Sequence, residues 1–158
     1  SVLWLMDSEG NSTSENIWRE AEKRNIDRKR IIFTKHMNRK DHLNRLKLVD
    51  IFLDTFPYNA HTTASDAIRM GLPIITISGR SFASRVCTSI LKQVKMEKLS
   101  TNSLKNYEEM AIQLGNDEKK LNRIKKEIKD NCLNSPLFRV QDFTKDLEKI
   151  FLKLIQET

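Results

Sequence analysis

The segment Leu53-Asp54-Thr55-Phe56-Pro57-Tyr58-Asn59-Ala60-His61-Thr62-Thr63-Ala64-Ser65-Asp66 carries the residues best suited to chemistry. It sets a short polar turn between an apolar run and a helix-like stretch, and the turn ends in His61-Thr62-Thr63. A helix start presents unpaired N–H groups and a partial positive charge, so it suits a phosphate. Two hydroxyls and an imidazole add donors there without bulk, which is what a diphosphate cradle requires. One turn further on, Asp66 can accept hydrogen bonds from ribose hydroxyls. A ligand-free reading fits the same spacing, because Thr63 and Asp66 match a Thr-x-x-Asp capping pair.

A second polar loop runs Thr34-Lys35-His36-Met37-Asn38-Arg39-Lys40-Asp41-His42. The helix it enters carries His42 and Arg45 three residues apart, hence on one face. A planar imidazole and guanidinium there could stack on a nucleobase and hydrogen-bond its edge. The alternative is a packed His42 beside a solvated Arg45.

Other chemistries find no foothold. The chain has four glycines, and neither Gly-x-Gly-x-x-Gly nor the P-loop pattern occurs. There is no Gly-x-Ser-x-Gly elbow. His36, His42 and His61 show no helical metal-ligand spacing, and an Asp-x-Asp pair for a nucleotide-bound divalent ion is missing. No metal and no cofactor are expected.

The elements that must position these groups are legible as periodicity. Val2-Leu3-Trp4-Leu5-Met6, Ile31-Ile32-Phe33, Ile51-Phe52-Leu53 and Pro73-Ile74-Ile75-Thr76-Ile77 are near-continuous apolar runs, as in strands covered on both faces. Between them Ile17, Trp18 and Ala21 form one helical stripe, Leu43, Leu46 and Val49 another, and Ala64, Ala67 and Ile68 a third. Ser12 and Glu15 make a capping box for the first helix. The alternation predicts an α/β fold, a Rossmann-like doubly wound parallel sheet built from right-handed βαβ units. A short fifth strand is expected near Met96 to Leu99. After about residue 103 the pattern is helical: Tyr107, Met110, Ala111 and Leu114 line one helix, which Gly115 is expected to end in a left-handed conformation. Leu121, Ile124 and Ile128 line the next. Ser135-Pro136 breaks that run, and Asp142 is expected to cap a last helix bearing Phe143, Leu147, Ile150, Phe151 and Leu154.

Size and composition bound the rest. With 158 residues, 39% hydrophobic and 31% charged, the chain suits one well-filled core, so residues 1–158 are expected to form a single domain. It begins at Ser1 and enters a strand at once, as expected of a piece of a longer polypeptide. No apolar run approaches the roughly 20 residues that span a bilayer, so no membrane partner is expected. Cys87 and Cys132 read as unpaired thiols of a reducing, cytoplasmic setting. The net charge of +7 is spread over helical polar faces, which reads as solvation rather than a nucleic-acid surface.

The strings Leu-Asp-Thr-Phe-Pro-Tyr-Asn-Ala-His-Thr-Thr, Ser-Asp-Ala and Met-Gly-Leu-Pro-Ile-Ile-Thr, followed by Gly79 and Ala83-Ser84-Arg85-Val86, together resemble the O-linked N-acetylglucosamine transferases. These include bacterial tetratricopeptide-repeat homologues. The likeness extends from Ser1-Val2-Leu3-Trp4-Leu5 to Asn134-Ser135-Pro136-Leu137-Phe138. It implies the C-terminal lobe of a two-lobed GT-B glycosyltransferase, with UDP-N-acetylglucosamine (UDP-GlcNAc) as donor and a protein Ser or Thr hydroxyl as acceptor. By the same resemblance His61, Thr62 and Thr63 would hold the diphosphate, Asp66 and Arg39 the ribose, and His42 would stack on uracil. Arg45 and the Met37 backbone would read the base edge. The implied reaction is inverting and metal-independent, with the turn meeting the charge on the departing diphosphate.

Three departures from the family pattern stand out. Ala60 replaces a frequent Gly, and Arg39 replaces the Lys of animal members. The family's catalytic base and a phosphate-binding Lys would lie upstream of Ser1, in the N-terminal lobe that tetratricopeptide repeats would precede. No residue of this chain is therefore assigned as catalytic. Two readings compete: a Spindly-type protein O-fucosyltransferase using GDP-fucose, and a non-catalytic scaffold domain.

Overall fold

The computed structural model describes residues 1–7 and 11–156, with the backbone alone described at Asn11 and Ser12. Its contacts group into two compact units, residues 1–44 and 45–158.

In the first unit, β1 (Leu3–Met6) pairs in parallel with β2 (Ile31–Thr34), Leu3 opposite Ile31 and Met6 opposite Thr34. The connection is α1 (Asn11–Glu22), whose Trp18 packs edge-on to Phe33 with ring centroids 4.9 Å apart. The Arg28 guanidinium covers the other part of that indole at 3.7 Å. Because α1 begins at Asn11, Ser12 falls inside the helix rather than before it, and its side chain lies outside the described residues. A helix α2 (Arg39–Leu46) follows, and here a capping pair is present: Asn38 accepts from the Asp41 N–H at 3.0 Å and donates to its carboxylate at 2.7 Å.

The second unit holds a parallel sheet in the order β3 (Phe52–Leu53), β4 (Ile74–Ile77), β5 (Ser100–Thr101). The strands thus form a two-stranded and a three-stranded ladder, where the apolar runs alone suggest one sheet. The short β3 gives the N–H groups of Phe52 and Asp54 to Pro73 and Ile75, which binds it to β4. All four residues of β4 are buried, as the unbroken apolar run requires.

Helices α3 (Thr62–Arg69), α4 (Val86–Gln93), α5 (Leu104–Asn116), α6 (Glu118–Asn134) and α7 (Val140–Gln156) complete the unit. Ala64, Ala67 and Ile68 of α3 are fully buried, and Leu121, Ile124 and Ile128 of α6 face the same core. Among the described residues three have positive φ, Asn25, Gly71 and Lys95, and each follows the end of a helix. After α3, the Gly71 N–H bonds to Ile68 and the Leu72 N–H to Ala67, the paired bonds of a Schellman stop.

Three local expectations are corrected. Gly115 continues α5, and the chain turns instead at Asp117, whose carboxylate accepts from the Lys120 N–H at 2.8 Å and starts α6. Asp142 lies inside the first turn of α7, paired with Arg139 at 3.1 Å, because the helix already begins at Val140. The fifth strand is Ser100–Thr101, and Glu97–Leu99 is a single 3-10 turn. The Met96 N–H still closes the end of α4 on Leu91, so the backbone cannot extend earlier. The apolar residues of α7, among them Phe143, Ile150, Phe151 and Leu154, are exposed.

Candidate functional site

β3 ends at Leu53, and the next residue, Asp54, is buried with its carboxylate turned into the loop it opens. One oxygen accepts the Ala60 N–H at 2.7 Å. The other accepts the Asn59 amide at 2.7 Å and the Thr76 hydroxyl of β4 at 2.6 Å. The Tyr107 hydroxyl of α5 donates to the Asp54 carbonyl at 3.0 Å. Asn59 is itself buried, its N–H bonded to the Ala83 carbonyl at 3.2 Å, while its side-chain oxygen has no partner among the described residues. The turn 54–60, with its cis Phe56–Pro57 bond, is therefore tied to β4, to the loop before α4 and to α5.

That turn delivers His61 to the N-cap of α3, with Thr62 and Thr63 as the first two helical residues, both exposed. The capping reading for Thr63 and Asp66 does not hold: the cap residue is His61, and it makes no side-chain capping bond. The N–H groups of the first turn have no partner inside the helix by construction. The His61 ring is stacked on Tyr58 at 5.1 Å and 17°, and meets Phe82 edge-on at 6.1 Å. Its Nε2 is shielded from solvent and has no hydrogen-bond partner among the described residues. Asp66 lies one turn along the same helix, partly buried and engaged. An imidazole nitrogen, two hydroxyls and the first-turn amides thus gather at one corner of the second unit.

The remaining residues with expected roles lie around α2. In the first unit Met37 is 41% exposed just before the helix, Arg39 is its first residue, and His42 is partly buried. Arg45, in the last turn of α2 and the first residue of the second unit, is partly buried, and Arg39, His42 and Arg45 are all engaged with neighbours.

The same environment shifts two groups. Burial first, and then the Asp54 charge, push the Tyr107 phenol up to about 12. The fully buried Cys87 thiol is raised for the same two reasons. Cys87 and Cys132 are both free thiols. Among the described residues no group of three or more His, Cys, Asp and Glu side chains could hold a metal ion. Nor is any described helix long and apolar enough to cross a membrane. A hollow of about 630 Å³ lies elsewhere, beside Ser78, Thr101, Asn102 and Glu109. It is lined by no basic side chain, so the corner at His61 is the better seat for an anion.

Sequence spacing missed Asp54 and Asn59 as site-shaping residues. The one available signal was two small polar residues inside an otherwise apolar and aromatic stretch.

The fold is the Rossmann-like lobe of a GT-B glycosyltransferase: it superposes on the O-GlcNAc transferase of Thermobaculum terrenum, solved in a mutant form, with a TM-score of 0.87 and 28% identity. That match covers 95% of this chain and 29% of the other. The chain belongs to glycosyl transferase family 41, whose model matches residues 1–147. Among curated relatives, a Petunia hybrida protein named a probable UDP-N-acetylglucosamine–peptide N-acetylglucosaminyltransferase SPINDLY is 37% identical over 70% of this chain and 12% of its own length. The Caenorhabditis elegans UDP-N-acetylglucosamine–peptide N-acetylglucosaminyltransferase is 31% identical over 95% of this chain and 13% of its own. The chain thus spans about an eighth of the curated relatives it matches.

Proposed function

We propose that this chain is the nucleotide-sugar-binding lobe of an inverting, metal-independent glycosyltransferase. It moves N-acetylglucosamine from UDP-GlcNAc to Ser or Thr hydroxyls of acceptor proteins in a cytoplasmic setting. The observation that carries the reading is the corner at His61, where two exposed threonines and the first-turn amides stand at one helix start beside a solvent-shielded imidazole nitrogen that has no partner among the described residues. Such donors stabilise negative charge as it grows on a departing diphosphate. In this reading His61, Thr62 and Thr63 hold the diphosphate, while Asp66 and Arg39 take the ribose. His42 stacks on uracil, and Arg45 and the Met37 backbone read its edge. The catalytic base, an N-terminal lobe and tetratricopeptide repeats belong to other parts of the full polypeptide. The activities for which the relatives are named support the choice of donor and acceptor.

Calorimetric titration with UDP and GDP at fixed salt tests the reading. Tighter binding of UDP is the expected result. Preference for GDP would move the assignment to fucosyl transfer, and binding of neither nucleotide would leave a scaffold domain.

A further inference from the structure

We infer that Asp54 is a positioning residue for the diphosphate, holding His61, Thr62 and Thr63 in place from beneath without touching the ligand. The inference rests on the diphosphate reading of that corner. Three observations carry it. Asp54 is 4% exposed and directed inward, so its charge does not serve the surface. Its carboxylate collects three donors at 2.6–2.7 Å, from Ala60, Asn59 and Thr76. One of these, the Ala60 N–H, belongs to the residue directly before the N-cap, so the start of α3 is fixed relative to the buried β4.

The demand is for a carboxylate. It is acceptor-only, and hydrogen bonds to it are roughly twice as strong as those between neutral groups. An Asn at this position would have to place an NH2 against either the Ala60 N–H or the Asn59 amide, donor facing donor. The turn would then shift, and donors aimed at a diphosphate lose affinity when displaced by a fraction of their hydrogen-bond length.

The test is a UDP titration of the full polypeptide that carries this chain, as wild type, Asp54→Asn and Tyr107→Phe, with the folded fraction taken from melting. Tyr107→Phe removes a bond to the Asp54 carbonyl and leaves its carboxylate alone, so it reports the cost of loosening the neighbourhood. The expected result is a loss of about tenfold or more for folded Asp54→Asn and less than about twofold for Tyr107→Phe. The Thr62 and Thr63 amide resonances should move in Asp54→Asn while those of α6 stay. Equal UDP affinity for wild type and Asp54→Asn would overturn the positioning role and leave the diphosphate reading intact. A wild type that binds no UDP would remove the diphosphate reading, and this inference with it. If Asp54→Asn does not fold, amide exchange at Ala60 in the ligand-free wild type decides: protection supports the pinned turn, and exchange at the unstructured rate overturns it.

Discussion

Tyr58 lies nearly flat on His61, the ring centroids 5.1 Å apart and the planes 17° from parallel, although Tyr58 itself is 66% exposed. An exposed aromatic thus serves as the cover of the residue that opens α3. Removing it by Tyr58→Ala should free the imidazole to rotate and weaken UDP binding by about 0.5–1.5 kcal/mol, the range for such ring pairs. The melting temperature should barely move, since little buried surface is lost. Unchanged affinity on calorimetry would mean that the imidazole needs no cover.

His61→Ala and Thr62→Ala act on the donors themselves. Each should cost about 1–3 kcal/mol of UDP affinity, the usual loss for a hydrogen bond to a charged partner. Neither side chain caps the helix, so both variants should melt close to the wild type. Two variants that bind UDP as well as the parent would remove the assignment of this corner.

Lys95 holds a left-handed φ of 54° at the end of α4, where a β-carbon is unfavourable. Lys95→Gly should therefore stabilise the fold by about 0.5–1 kcal/mol, the backbone gain being partly offset by the freer unfolded chain. Urea unfolding measures the difference. A destabilised variant would show that the Lys95 side chain contributes more than its conformation costs.

Alkaline pH should act through Tyr107. Its folded value, about 12, lies above the ordinary 10, so between these values the folded state keeps a proton that the unfolded state has released. Stability from this group is complete below pH 10 and falls as pH rises towards 12. Tyr107→Phe should flatten the decline by up to one proton over that window. Cys87, raised in the same sense, adds to the slope from pH 9 upward, and Cys87→Ala separates the two. Identical pH profiles for Tyr107→Phe and wild type would contradict the raised phenol.

Much of this architecture is legible in one dimension because it rests on local periodicity. Ala64, Ala67 and Ile68 announce one buried face of α3, and the unbroken run at Ile74–Ile77 announces a strand covered on both sides. The His61-Thr62-Thr63 turn is legible for the same reason, since a helix start is a local event. What stays hidden is long-range. Asp54 meets Asn59, Thr76 and Tyr107 from positions 5, 22 and 53 residues away, and no spacing rule links them. Stops are also ambiguous. Gly71 and Gly115 look alike in sequence, yet only Gly71 takes a positive φ, because Leu72 turns back onto Ala67 while Gly115 has a helix to continue. The apolar stripe of α7 has helical period, and period alone does not say whether a face finds cover.

Ala60 adopts none of the positive φ values seen among the described residues, so its methyl group sits there without protest. A glycine in the same place would leave the unfolded chain roaming more widely before it closed. The methyl narrows that search by about 0.4–1 kcal/mol. The loop that leads into α3 therefore sets out from fewer shapes, and less disorder has to be surrendered when it closes.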